Sequence, residues 1–210
     1  MALDLEEQEQ VAELKAWWNQ HGNLIVSAIT AAALAFAGWQ GWRWYERKQA
    51  AEAGALYDTI MRASRAGDAK ALRDADGALL ENYSRTLYAS LGALLAARFY
   101  YEHNDAKGAK AQLQWVLEHA RTDDFRDLAR LRLAAILLDE KAYDEALKLL
   151  DEQHASAYDS QYAAAKGDVL VAKQQLDEAR AAYRVALDKA GSGSAAFRES
   201  VRMRLEALGG

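Results

Sequence analysis

"LAAILLDEKAYDEALKLL", residues 133–150, reads as two helices folded back on one another. Leu133, Ala134 and Leu137 fall on one face at helical spacing, and Tyr143, Ala146 and Leu150 on another. The small residues Ala134 and Ala146, 12 positions apart, let the two helices touch. The same unit recurs on both sides. Upstream, Ala97 and Tyr100 are followed by Ala106, Ala109 and Leu113; downstream, within "KGDVLVAKQQLDEARAAYRVAL", Gly167 and Leu170 are followed by Leu176, Ala179, Tyr183 and Ala186. The internal offset is 12 each time, and the units step by 37 and then 33 residues.

That period predicts helix-turn-helix repeats, set against an ordinary amphipathic bundle as the alternative. The pattern resembles the tetratricopeptide repeat, although the usual opening Trp is absent and no Pro ends any unit. Because the first step exceeds the family's usual length of about 34, a longer turn is expected around Thr122, Asp123 and Asp124, with Asp124 capping the helix that follows. Ala195 to Leu208 reads as a polar closing helix, and "GSGS" at 191–194 as the turn before it. Residues 46–87 read as a helical connector: a longer helix through Ala53, Leu56, Tyr57 and Ile60 that extends a membrane helix, then a shorter one from Lys70 to Asn82 after Gly67.

Composition agrees with an all-α chain. There is no proline in 210 residues, and Ala and Leu dominate beside Glu, Lys, Arg and Gln. The absence of cysteine excludes disulfides, thiolate nucleophiles and thiolate metal sites. Of the net charge of −5, Asp4, Glu6, Glu7, Glu9 and Glu13 against Lys15 account for −4, so no basic field invites nucleic acid.

Between Lys15 and Arg43 there is no charged residue, and Leu24 to Trp42 is an apolar run of 19. As a helix it is roughly 28 Å long, close to the hydrocarbon core of a bilayer. Trp17 and Trp18 precede it, while Trp39, Trp42, Trp44 and Tyr45 follow, as aromatics do at two membrane interfaces. Leu24, Ile25, Val26, Ile29, Leu34 and Phe36 each favour insertion by about 0.5 kcal/mol. Two alternatives are a buried core helix and a signal peptide cleaved after Ala35-Phe36-Ala37. The acidic leader and the aromatic belt argue against cleavage. Ser27, Ala31 and Ala35 make a small-residue ridge of the kind chance also gives in an Ala-rich helix. Arg43, Arg47 and Lys48 just beyond the span favour a cytoplasmic C-terminal side.

No catalytic constellation stands out. His21, His103, His119 and His154 lack paired metal-ligand spacing and read as surface residues at helix ends. Carboxylates in "RDLARLR" and "LDEAR" lie near arginines at helical spacing and read as solvated faces. Neither a cofactor nor a metal is expected. Stacked helical pairs bind through a concave groove, here assigned to Leu94, Arg98 and Tyr101, then Leu128, Leu131 and Leu138, then Ala164, Asp168 and Val171.

The leader ending in "EQVAELKAWWNQHGN", the span closing in "GWQGWRWY" and the repeat body together resemble the YfgM family of ancillary subunits of the bacterial SecYEG translocon. The resemblance implies a non-catalytic, single-pass inner-membrane protein, its N-terminus cytoplasmic and its body periplasmic. Partners implied are SecYEG, the membrane-anchored chaperone PpiD, newly exported or unfolded polypeptides, and the lipid bilayer. On this reading residues 1–22 are a short acidic cytoplasmic segment, 23–45 the transmembrane helix, 46–87 the connector, and 88–210 a tetratricopeptide-like helical-repeat solenoid with its capping helix. A membrane-tethered scaffold for another envelope assembly, facing the cytoplasm, is the alternative; an enzyme is a third reading that needs carboxylates converging in a pocket.

Overall fold

The computed structural model describes residues 2–191 and 194–209. Among these, every regular element is helical: nine α-helices and one short 3-10 turn. The chain divides into two compact units, the first ending at Gln49 and the second beginning at Ala50.

The first unit lies within helix α1, Ala2–Ala66. It is the one helix among the described residues long and apolar enough to cross a membrane. A core helix of a soluble protein would bury its apolar side chains, whereas Leu24, Ile29, Leu34, Trp39, Trp42 and Trp44 are all exposed. Within the first unit this apolar surface is left uncovered. Arg43 sits over the Trp39 ring at 4.8 Å and Lys48 over Trp44 at 5.7 Å, so cations and aromatics form one belt.

The second unit takes in the end of α1, then α2 (Ala69–Tyr83), α3 (Leu87–Glu102), α4 (Ala106–His119), α5 (Asp123–Asp139), α6 (Tyr143–Leu150), α7 (Asp159–Ala172), α8 (Leu176–Lys189) and α9 (Ala195–Ala207). Helices pair through one repeated turn. Gly67, Asn104, Lys141 and Gln174 each take a left-handed conformation, with φ between 62° and 70°. The next residue's N–H then reaches back to a carbonyl five residues earlier: Asp68 to Ala63 at 2.9 Å, Asp105 to Tyr100 at 2.8 Å, Ala142 to Leu137 at 2.8 Å and Gln175 to Leu170 at 2.9 Å. This is the Schellman ending, which satisfies the helix's last carbonyls and reverses the chain.

The first of these four turns joins α1 to α2, inside the segment read as a connector. In register, Ile60 and Leu72 stand where the later pairs place Ala97 and Ala109, Ala134 and Ala146, or Gly167 and Ala179. Ile60, Leu72, Ala109, Ala146 and Ala179 have no exposed surface, and Ala97 and Ala134 almost none. At Gly167 the approach is closest, since a Cβ there would lie 2.4 Å from Cε1 of Tyr183. Val201 of α9, 34 residues after Gly167, is likewise fully buried, so α9 closes the stack as a first helix without a second.

Two local expectations are corrected. The connection between α4 and α5 is short, Ala120 to Thr122, like that between α2 and α3; the extra residues lengthen the helices themselves. Thr122, not Asp124, occupies the N-cap of α5, and Asp124 lies in its first turn. The long connection is instead 151–158, which replaces the second half of the eight-residue α6. Of the 191–194 turn, Ser192 and Gly193 lie outside the described residues; Gly191 has positive φ, and the Ser194 hydroxyl accepts from Phe197 N at 3.4 Å to cap α9.

Candidate functional site: the first-helix face

The first helix of each pair carries the residues assigned to the groove, and the structure sorts them into four groups. Leu94 is 4% exposed and belongs to the core, as does Ala164. They fail as contact residues because each lies on the side of its helix that the neighbouring helices cover. Leu128, Leu131 and Leu138 are half-buried along α5, packed against the main core with an outer edge free. Arg98 and Tyr101 are exposed on α3.

Two long side chains bridge α3 and α5. The Tyr101 hydroxyl donates to Asp139, which pushes the phenol's pKa up. Arg132 donates from Nη1 to the Leu94 carbonyl at 3.0 Å. Burial, and then the nearby Arg98 charge, push the Arg132 pKa down. Arg98 itself pairs with Glu102 at 2.7 Å. Arg132 and Asp139 were missed in the sequence because neither keeps the repeat register of Arg98; an arginine set directly between Leu131 and Leu133 in "LARLRL" was the available sign.

Toward the C-terminal end the groove assignment changes character. Asp168 accepts from the Tyr183 hydroxyl at 2.7 Å and from Arg204 of α9 at 2.8 Å. Val171 packs in the smaller cluster formed with Tyr183, Ala186 and Val201. These two residues fasten the closing helix, and the open surface is that of α3 and α5.

A second candidate is a cavity of about 320 Å³ beside the 151–158 connection, lined by His154, Asp159, Tyr162, Lys166, Val185 and Lys189 among others. Its charges are already matched. Lys166 pairs with Asp151 at 2.5 Å, Lys189 with Asp159 at 3.5 Å, and His154 Nε2 lies 3.3 Å from Asp159 while its ring stacks on Tyr162. The other histidines also stack near helix ends or on aromatics: His21 on Trp17, His103 on Phe99, His119 on Trp115. Among the described residues, no three His, Cys, Asp or Glu side chains gather as a metal site would need.

One carboxylate of "RDLARLR" contradicts the solvated-face reading. Asp127 is fully buried. It accepts from Arg130 at 2.8 Å, from the Tyr162 hydroxyl at 3.2 Å and from Ala155 N at 3.0 Å, tying the 151–158 connection and α7 to α5. Burial is the main reason the Tyr162 phenol is pushed up to about 12.

The repeated turn, the close pairs and the closing helix find their counterpart in a known sequence signature, that of the tetratricopeptide repeat-like domain, which matches residues 15–210. The chain belongs to that tetratricopeptide-like family. Proteins named "Ancillary SecYEG translocon subunit" resemble it over nearly full length. The one from Haemophilus influenzae is 27% identical over 99% of this chain and 100% of its own, and that from Neisseria gonorrhoeae is 29% identical over 99% and 100%. The Escherichia coli protein of that name is 26% identical over 84% of this chain and 85% of its own. The likeness drawn from the leader, the span and the repeat body together is thus met over nearly the full chain. Among solved structures, MamA from Desulfovibrio magneticus covers 75% of the chain with a TM-score of 0.53 at 19% identity, which is a likeness of fold.

Proposed function

We propose that this protein is a non-catalytic, membrane-anchored interaction module associated with the SecYEG translocon. The observation that carries the reading is the near full-length similarity to chains named ancillary SecYEG translocon subunits. Similarity confined to the tetratricopeptide-like body would point only to a scaffold; here the match takes in the apolar helix as well.

The finer reading has α1 crossing the inner membrane once, residues 1–22 cytoplasmic, and the helical pairs periplasmic. There the α3–α5 face receives newly translocated chains in company with a membrane-anchored chaperone of the PpiD kind. Arg43, Arg47 and Lys48 oppose this orientation by the positive-inside rule. That rule has least force for a long translocated domain, and two of the three cations lie over tryptophan rings in the interfacial belt.

The chain has no cysteine, so a single Ser194→Cys variant tests the orientation. Labelling by a membrane-impermeant maleimide in intact spheroplasts supports the periplasmic reading. Labelling only after lysis moves the body to the cytoplasm and favours the alternative that Arg43, Arg47 and Lys48 suggest, a tethered scaffold for another envelope assembly. A photo-crosslinking residue at Leu34 then tests the translocon: adducts with a SecYEG subunit are expected, and their absence in cells that express both refutes the association.

A further inference from the structure

The α3–α5 face holds an arginine whose charge no carboxylate among the described residues answers. Arg132 is half-buried, spends one donor on the Leu94 carbonyl, and makes no ion pair among the described residues. The carboxylates on and beside this face are committed elsewhere: Glu102 to Arg98, Asp139 to the Tyr101 hydroxyl, and Glu140 to Lys110 at 2.6 Å. Removing a guanidinium partly from water costs free energy, and a second guanidinium nearby adds repulsion. An incoming anion would relieve both.

Apolar surface flanks this cation in both chain directions. On α5, Leu128 and Leu131 precede Arg132, and Ala135 and Leu138 follow it. On α3, Leu95 precedes Arg98 and Tyr101 follows it. A ligand bearing only a terminal carboxylate would cover apolar surface on one side of the cation and leave the other bare. We infer that this face takes a polypeptide segment in which one internal Asp or Glu, bound by Arg132 with Arg98 beside it, is flanked on both sides by apolar residues. The inference rests on the client-receiving role proposed above and specifies which clients that face selects. Arg132 keeps donors for the carboxylate, and a partly desolvated guanidinium–carboxylate bond is stronger than a neutral one.

The test uses the full chain in nanodiscs and fluorescent peptides blocked at both ends, each with a central residue between two short Leu/Ala runs. The peptide with central Glu should bind about tenfold more tightly than its Gln counterpart, and added salt should narrow the difference. Arg132→Gln should remove the preference for Glu while leaving the affinity for the Gln peptide unchanged. Arg98→Gln alters an exposed side chain outside the core and should halve the preference or more, which keeps the test decisive if Arg132→Gln unfolds. Equal binding of the Glu and Gln peptides, both weakened by Leu131→Ser, would overturn the anion site and leave the apolar groove standing. No binding by any peptide would overturn the groove together with it. Tighter binding of an all-apolar peptide with a free C-terminus than of the internal Glu peptide would assign Arg132 to chain ends and overturn the inference as stated.

Discussion

Asp76 is the group through which stability should depend most strongly on pH. It lies on α2 with 2% of its surface exposed, and its Oδ1 has no hydrogen-bond partner. Gln112 of α4 faces it with its own Oε1 unpartnered, so two buried acceptors lack a donor. Tyr100 lies close enough to feel the Asp76 charge, and Arg73 lies beside the Tyr100 hydroxyl. Burial raises the carboxyl from 3.8 to about 7, only partly offset by the hydrogen bond from Gln112. A proton on Asp76 supplies a donor to the pair of acceptor oxygens, Asp76 Oδ1 and Gln112 Oε1, that otherwise lack one.

A pKa raised on folding means that the folded state holds the proton more tightly. The contribution is therefore complete below about pH 4 and is lost as pH rises through about 7. A shift of about three units corresponds to about 4 kcal/mol in all, of which about 2 to 3 kcal/mol falls between pH 5 and pH 8. Asp76→Asn keeps the shape of the neutral acid and cannot ionise. Its stability relative to the natural protein should therefore rise by about 2 to 3 kcal/mol between pH 5 and pH 8. Urea unfolding of both proteins in detergent, followed by far-UV circular dichroism across that range, measures the difference. Parallel stability curves would refute the reasoning, because they would mean that Asp76 has the same protonation state throughout.

Other substitutions probe the frame. Asp127→Ala strands Arg130, the Tyr162 hydroxyl and Ala155 N together and should cost about 3 to 5 kcal/mol; limited proteolysis should find new cleavage within 151–158, whereas Asp127→Asn should cost less. Gly167→Ala gains helix propensity but puts a methyl against the Tyr183 ring, for a net loss of about 1 to 3 kcal/mol in urea unfolding. Lys141→Gly relieves a left-handed residue at a Schellman turn and should raise stability by about 0.5 kcal/mol after the glycine's entropy cost; a lower urea midpoint would count against that account.

What was legible in the sequence followed from small residues. Ala97, Ala134 and Gly167, with partners 12 positions on, revealed three helix pairs because close packing demands small side chains there. The pair made by the end of α1 and α2 was read as a connector because Ile60 and Leu72 fill the same places with large side chains; only the turn geometry discloses the equivalence. Val201 hid the closing helix's register for the same reason. Within the candidate face, helical spacing located Arg98, Tyr101 and the α5 leucines but not the depth of Leu94. Burial at that position depends on how far the neighbouring helix rolls over it, a tertiary quantity with no local trace.

Asp127 and Asp177 show that limit most plainly. Each precedes an arginine by three residues on a helix, Arg130 and Arg180, and each makes the ion pair that this spacing permits. Yet the Asp127 side chain is 1% exposed and the Asp177 side chain 89%. What separates them is α6, which ends after eight residues and lets the 151–158 connection place Ala155 N on the Asp127 carboxylate. Beside α8 the closing helix packs instead, where Arg180 donates to the Leu208 carbonyl at 2.9 Å. An exposed pair of this kind contributes little, whereas a buried one holds its neighbours in register and is costly to break. The same short motif is therefore a solvated pair in one repeat and an anchor in another, decided by an element 28 residues away from Asp127.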